Sequence, residues 1–327
     1  MKPYFDEIIE IIQKARIKVY KTANTELINL YWEIGKYITV RTEKEGWGKS
    51  TVKLLADYIQ FLEKDLKGFS DKNLWRMKQF YEAYTKYPSL EKLSKEISWT
   101  NNCIIFSRCK TPEERTFYLN LCKKTNYTKR ELERQISACY FERSISLDLK
   151  LSPLVRDLPN GFENIFKDRY VLEFLDLPER HSEAELQKGI VKEMKSFLLE
   201  LGKDFLFVGE EFRLQVGNKD FFIDLLFYHR LLQCLVVIEL KTTDFLPEHL
   251  GQLNFYLEAL DRDVKNENEN PSIGILLCKS KDEEVIEYAL SRNLSPALVS
   301  QYERLLPNKK LLKNKLNEIL EFWRETE

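Results

Sequence analysis

No apolar run in this 327-residue chain approaches the roughly 18 residues that a membrane helix requires. The first dozen residues interrupt their apolar positions with Asp6, Glu7 and Glu10, so the uninterrupted core of a signal peptide is also missing, and a cytoplasmic protein is expected. The six cysteines form no C-x-x-C pair, which argues against a zinc site and for reduced thiols in a core. The three histidines, His181, His229 and His249, lack metal-ligand spacing. Of these, His249 lies near enough to an acidic motif discussed below to neighbour a site, although a surface histidine is the commoner case. Gly46-Trp47-Gly48-Lys49-Ser50 resembles the end of a phosphate loop, but Glu43 stands where its first glycine belongs and no strand precedes it, which excludes an NTPase. A net charge of −1 points to no partner.

Composition is that of a folded protein, with 43% hydrophobic and 31% charged residues, and the length suits two domains. The charge is unevenly placed. Residues 1–150 hold 28 Lys and Arg against 20 Asp and Glu, whereas the remainder is acidic, so a nucleic-acid contact is expected on the first half.

That first half has apolar residues at helical spacing, as in Leu27-Leu30-Tyr31-Ile34 and Val52-Leu55-Ala56-Ile59. A helix from Lys53 to Leu66, the turn Lys67-Gly68-Phe69 and a second helix capped by Ser70 make a helix-turn-helix candidate. In it Lys72, Asn73, Arg76, Lys78 and Gln79 could face phosphates or bases. An ordinary core hairpin is the commoner use of such a unit. Further helices are expected behind the caps Thr111-Pro112 and Thr128.

Residues 151–180, with Pro153, Pro159, Gly161 and Pro178, read as a joint. Beyond it the pattern changes to a helix at 182–201 and strands at 205–208, 211–216 and 221–228, the last two joined by the hairpin loop Gly217-Asn218-Lys219-Asp220. Cys234 to Leu240 is a buried central strand; a helix at 247–260, a strand at 273–278 and a helix at 281–291 follow. The fold class expected is α/β, a helical domain at 1–150 and a mixed-sheet domain at 181–327. An amphipathic tail at 311–323 could pack on either domain or on a second subunit.

The chemistry sits on two adjacent strands. Glu239 and Lys241, two apart, project to one face, and Asp224 can meet them from the neighbouring strand. Two converging carboxylates bind a hard divalent cation such as Mg²⁺, and the lysine can orient a water or stabilise a phosphorane-like transition state. Glu-x-Lys is common by chance and could be a surface charge pair. Charges inside apolar strands, however, cost several kcal/mol unless paired or metal-bound. Glu185, at the start of the preceding helix, could add a carboxylate, with Glu183 and Glu193 as competitors. Gln252 and Tyr256, four apart on the following helix, share a face and could reach the water network or substrate.

These segments resemble a known family. Phe222-Ile223-Asp224-Leu225-Leu226, Val237-Ile238-Glu239-Leu240-Lys241 and Gly251-Gln252-Leu253-Asn254-Phe255-Tyr256 resemble the PD-(D/E)xK nucleases. Together with Tyr31-Trp32-Glu33-Ile34-Gly35 and Gly68-Phe69-Ser70, they make the chain similar to the YhcG-like family, in which such a nuclease follows a helical N-terminal domain. The resemblance implies a restriction-endonuclease-like core, dependence on Mg²⁺ (or Mn²⁺) and a nucleic-acid substrate, most of all DNA. It makes Asp224 and Glu239 the metal ligands and Lys241 the catalytic lysine. Glu185 matches the helix glutamate, and Gln252 and Tyr256 a Q-x-x-x-Y helix. The proline that precedes the Asp in the superfamily's motif is absent here. A homodimer is the expected assembly; a non-catalytic nucleic-acid-binding or assembly module and an adaptor for a restriction or repair complex are the alternative readings.

Overall fold

The structure is a computed structural model that describes residues 2–145, 165–293 and 295–307. The expected tail helix at 311–323 and residues 151–164 of the expected joint lie outside these. The chain divides into two compact units, residues 1–133 and 134–327. The division falls inside the helix Lys129–Ser137, upstream of the expected boundary at 150.

The first unit is helical throughout. It contains α1 (Lys2–Glu45), α2 (Lys49–Leu62), α3 (Asp71–Tyr84), α4 (Pro88–Ser94), α5 (Trp99–Arg108), α6 (Pro112–Thr125) and the start of α7 (Lys129–Ser137). The expected caps are in place: the Ser70 hydroxyl accepts from the Asn73 amide and the Thr111 hydroxyl from the Glu114 amide. α3 packs on the second half of α1, where Ile28, Trp32 and Ile38 are buried with Leu74, Met77 and Phe80. Gly35 is the close-approach point, since a Cβ there would lie 2.1 Å from the Met77 carbonyl oxygen. Two backbones, neither able to move alone, meet at this spot. Gly35→Ala is therefore expected to destabilise the unit by about 3 kcal/mol or more, as overpacking at its steepest does. Chemical denaturation followed by helical circular dichroism measures it.

The helix-turn-helix reading does not survive this geometry. Eight residues, 63–70, separate α2 from α3, where a DNA-reading motif uses three or four. Asn73 is occupied internally, donating to the Gly68 carbonyl and accepting from Trp99 Nε1 at 2.9 Å. Lys78 is buried, paired with Glu82 and set over the Trp75 ring. Lys72, Arg76 and Gln79 remain exposed along one side of α3. The unit is a core hairpin whose outer edge carries two cations.

The second unit begins with the end of α7 and α8 (Tyr140–Ile145). Its centre is a six-stranded sheet of β1 (Arg169–Val171), β2 (Phe205–Val216), β3 (Lys219–His229), β4 (Cys234–Asp244), β5 (Ile273–Ser280) and β6 (Ala297–Glu303), in the order β1-β6-β5-β4-β3-β2. β2, β3 and β4 run antiparallel; β4, β5, β6 and β1 run parallel. The helices α9 (Glu183–Lys192) and α10 (Met194–Leu201) cover one face, and α11 (His249–Asp263) and α12 (Glu283–Ser291) the other. This is the expected mixed α/β sheet. β1 and β6 extend it beyond the expectation, and β1 draws part of the presumed joint into the sheet. The two strands expected at 205–208 and 211–216 are one, interrupted by a bulge after Phe207.

β4 is buried from Cys234 to Leu240, as its apolar run requires. The face alternation of β3 breaks at Asp224: Leu225 and Phe227 line the α9–α10 core, yet Ile223 joins Leu214 in the α11–α12 core. Opposite this break, Glu211 of β2 has φ +45°, a left-handed conformation uncommon for a side-chain-bearing residue. The end of the β2–β3 hairpin thereby curls over α11, where Phe221 meets Phe255 at 4.6 Å. Asp224 sits at the bend.

Candidate active site

The register of β3 and β4 pairs Leu225 with Ile238, and Asp224 lies one step beyond the last pair. Freed from the ladder, its carboxylate turns to β4 and Oδ2 accepts the Leu240 amide at 2.8 Å. Gln187 of α9 secures the bend from the other side by donating to the Asp224 carbonyl at 2.9 Å. Glu239 and Lys241 project together from β4, with Lys241 Nζ 3.1 Å from Glu239 Oε1. The expected Asp, Glu and Lys are thus one cluster on the α11 side of the sheet.

Glu239 is only 2% exposed, and its Oε2 is buried without a hydrogen-bond partner. Burial, and then the neighbouring Asp224 charge, push its carboxyl up to about 7, even with Lys241 pulling the other way. Burial also raises Asp224, with the Leu240 amide and Lys241 opposing it and Glu183 and Glu211 adding to it. Burial works against the Lys241 ammonium, but Glu239, Glu183 and Asp224 outweigh it and raise its pKa.

The two glutamates of α9 part company. Glu185 closes a capping box with Ser182, its Oε2 accepting the Ser182 amide at 2.8 Å, and it is exposed. The Ser182 bonds hold its pKa low. Glu183 faces the cluster instead, 3.5 Å from Lys241 Nζ and accepting the Thr242 amide. Glu193 falls in the break between α9 and α10. An N3 glutamate behind a serine has a local use, and that signal in Ser182-Glu183-Ala184-Glu185 favours Glu183 as the one left for the site.

On α11, Gln252 Nε2 donates to the Tyr256 hydroxyl at 2.8 Å. Tyr256 is buried and within electrostatic reach of Glu239, Asp224 and Lys241. His249 is half-buried, and burial together with the Lys241 charge lowers its pKa. It is a neighbour of the site, its Nδ1 accepting the Leu246 amide. Gln187 and Glu211 were not singled out from the sequence. Gln187 has no motif, and Glu211 is revealed only by the bend.

Among the described residues, no group of three or more His, Cys, Asp or Glu side chains is placed to hold a metal ion. The converging donors are two carboxylates, and one buried oxygen of the pair lacks any partner. That set fits a hard cation that keeps most of its waters, as Mg²⁺ does, and fits poorly a soft cation needing nitrogen or sulfur.

An α/β nuclease core behind a helical unit is the class that this fold and cluster define. Residues 163–317 match the family model of the YhcG PDDEXK nuclease domain, and residues 7–143 that of the DUF1016 N-terminal domain. The chain belongs to this family. It is 31% identical to the Escherichia coli K12 protein named "Putative nuclease YhcG", over 95% of this chain and 92% of that protein. Among solved structures, a repair endonuclease from Pyrococcus abyssi is 19% identical over 40% of this chain and 50% of its own, with a TM-score of 0.27. An EndoMS–dsDNA complex is 21% identical over 41% and 48%, also with a TM-score of 0.27. The chain spans about half the length of these two. No helix among the described residues is long and apolar enough to cross a membrane.

Proposed function

We propose that the protein hydrolyses phosphodiester bonds of nucleic acid, DNA above all, with a divalent cation held by Asp224 and Glu239. The observation that carries this reading is the unpartnered, buried Oε2 of Glu239 beside Asp224 and Lys241. An unpaired buried carboxylate oxygen is costly, and a cation is what offsets that cost. When bound, Mg²⁺ would lower the pKa of a bound water and offset charge on the scissile phosphate.

The chain's own groups do the rest. Lys241 holds a positive charge at the cluster, where negative charge grows on the phosphate in the transition state. Glu183, anchored to the Thr242 amide, keeps the ammonium aimed, and Gln187 fixes the bend that presents Asp224. The pair Gln252 and Tyr256 lines the α11 side, placed to order water or substrate backbone. Lys72 and Arg76, with Asn73 holding the turn before them, are the remaining candidates for phosphate contact.

The test is cleavage of labelled supercoiled, linear, single-stranded and branched DNA, and of RNA, with Mg²⁺ or Mn²⁺ and with chelator. Metal-dependent cleavage lost in Asp224→Ala is the expected result. Binding without cleavage by folded protein would favour a non-catalytic module, or an enzyme that works only within a restriction or repair complex.

Metal binding should also show in stability. In the metal-free fold Glu239 takes up its proton near pH 7, while in the unfolded chain it does so near the ordinary value of 4.5. Between those values the folded state binds more protons, so the metal-free protein loses stability as pH rises through that window. Mg²⁺ removes the penalty by replacing the proton. Its stabilisation is therefore expected to be small at pH 5.5 and larger at pH 8, read as the Tm difference with and without chelator.

A further inference from the structure

The first part of α1 stands in solvent. Every residue from Ile8 to Ala23 is exposed, and the segment is rich in β-branched isoleucine. A helix of that make-up is marginal in water without tertiary packing, because chain entropy and restricted rotamers oppose it. Such a face calls for a partner, and the pattern of the helix bears on which one.

Ile9, Ile12, Val19, Leu27, Leu30 and Tyr37 are between 40 and 66% exposed. Counting Arg16, Ala23 and Ile34 between them, the steps along this stripe are 3, 4, 3, 4, 4, 3, 4, 3. Those are the 3- and 4-residue steps of a coiled-coil seam, with their order reversed at Ala23. It is separate from the face buried on α3, which runs through Ile28, Trp32, Gly35 and Thr39. The spacing reads the same in both directions about Ala23.

We propose that this stripe is a two-fold interface at which α1 of one copy of the chain pairs antiparallel with α1 of a second copy, crossing at Ala23. The inversion sets Ile9 against Tyr37, Ile12 against Ile34 and Val19 against Leu27, and the small Ala23 meets itself where the helices come closest. Arg16 then lies level with Leu30 of the other copy, within a turn of its Glu26 and Glu33. Among the described residues, none of these three charges has an ion pair within the chain. A parallel pairing would stack Arg16 on its own copy and leave the two glutamates facing their own copies. Self-complementarity about a two-fold axis is what an isologous dimer requires, and a foreign partner would have no need of it. The seam spans about 42 Å at 1.5 Å per residue. The inference is independent of the nuclease reading.

The test is sedimentation velocity on the full chain across a concentration series. A species of twice the 39.0 kDa chain mass is expected. Ile12→Glu with Val19→Glu, both at exposed positions, should raise the dissociation constant by at least about 100-fold with the rest of the helical signal kept, since two charges per copy enter the seam. Arg16→Glu alone, and Glu26→Lys with Glu33→Lys, should each weaken it on the order of tenfold, and mixing these two variants should restore a dimer as the mixed species. A monomer at tens of micromolar wild type overturns the proposal. A dimer that ignores Arg16→Glu, or a mixture that fails to recombine, overturns the antiparallel arrangement.

Discussion

Lys241→Ala is expected to lower cleavage by about 10³-fold or more while leaving metal binding intact, and Glu239→Gln to remove both. The difference follows from where the charges lie. Lys241 opposes the charge of Glu239 and Asp224, so its removal makes the carboxylate pair more negative and a cation no less welcome. What disappears is the positive charge at the developing phosphate. Glu239→Gln instead replaces the orphan oxygen with an amide, which neither carries charge nor needs a cation beside it. Titration of Mn²⁺ by electron paramagnetic resonance, run beside the cleavage assay, separates the two effects. Equal loss of Mn²⁺ binding in both variants would mean that Lys241 holds the pair together and is not a catalytic group.

Glu200→Gln should cost the second unit about 3–5 kcal/mol, the usual penalty for stranding buried charge. Glu200 is fully buried and meets Arg134 Nε at 2.8 Å, Lys167 Nζ at 3.3 Å and Arg143 at 3.6 Å; its Oε1 also accepts the Val171 amide. Burial opposes its charge, but the three cations hold its pKa below the ordinary carboxylate value. Lys167, driven down by burial to about 8, is kept charged at neutral pH chiefly by this carboxylate. Without it two guanidinium groups and an ammonium share a dry site. The same contacts define where the unit starts: a chain begun at residue 163, where the nuclease family match begins, lacks Arg134 and Arg143 and should show a similar loss. Urea denaturation of the two proteins beside the wild type measures both.

Much of this arrangement was legible in the chain. A nearly unbroken apolar run could only be a strand buried on both faces, so Cys234 to Leu240 marked the sheet's centre and Glu239 inside it marked a charge needing a reason. The caps Ser70 and Thr111 were equally plain, because their oxygens answer a local demand. What escaped notice depends on distant partners. β1 is three residues long and is a strand only because β6 lies beside it. The parting of Glu183 from Glu185 is the exception, a local one, since the capping box between Ser182 and Glu185 spans three residues. The supposed DNA-reading face of α3 loses Asn73 to Trp99, 26 residues away and invisible to spacing, whereas the pairing of Lys78 with Glu82 one turn on is a local match.

The pairing of Arg169 with Gln301 has a consequence for biosynthesis. A nascent chain has made the whole helical unit by Glu133, and every residue of the Asp224–Glu239–Lys241 cluster and its α11 neighbours by Tyr256. Yet β1 must wait for β6, the last described strand, before its edge of the sheet can close. Buried groups keep the same schedule: Asp168 has only the adjacent Arg169 to pair with until Lys281, more than a hundred residues on, has emerged. The first unit can fold while translation continues. The second, with its long-range parallel pairings, completes only once β6 has emerged.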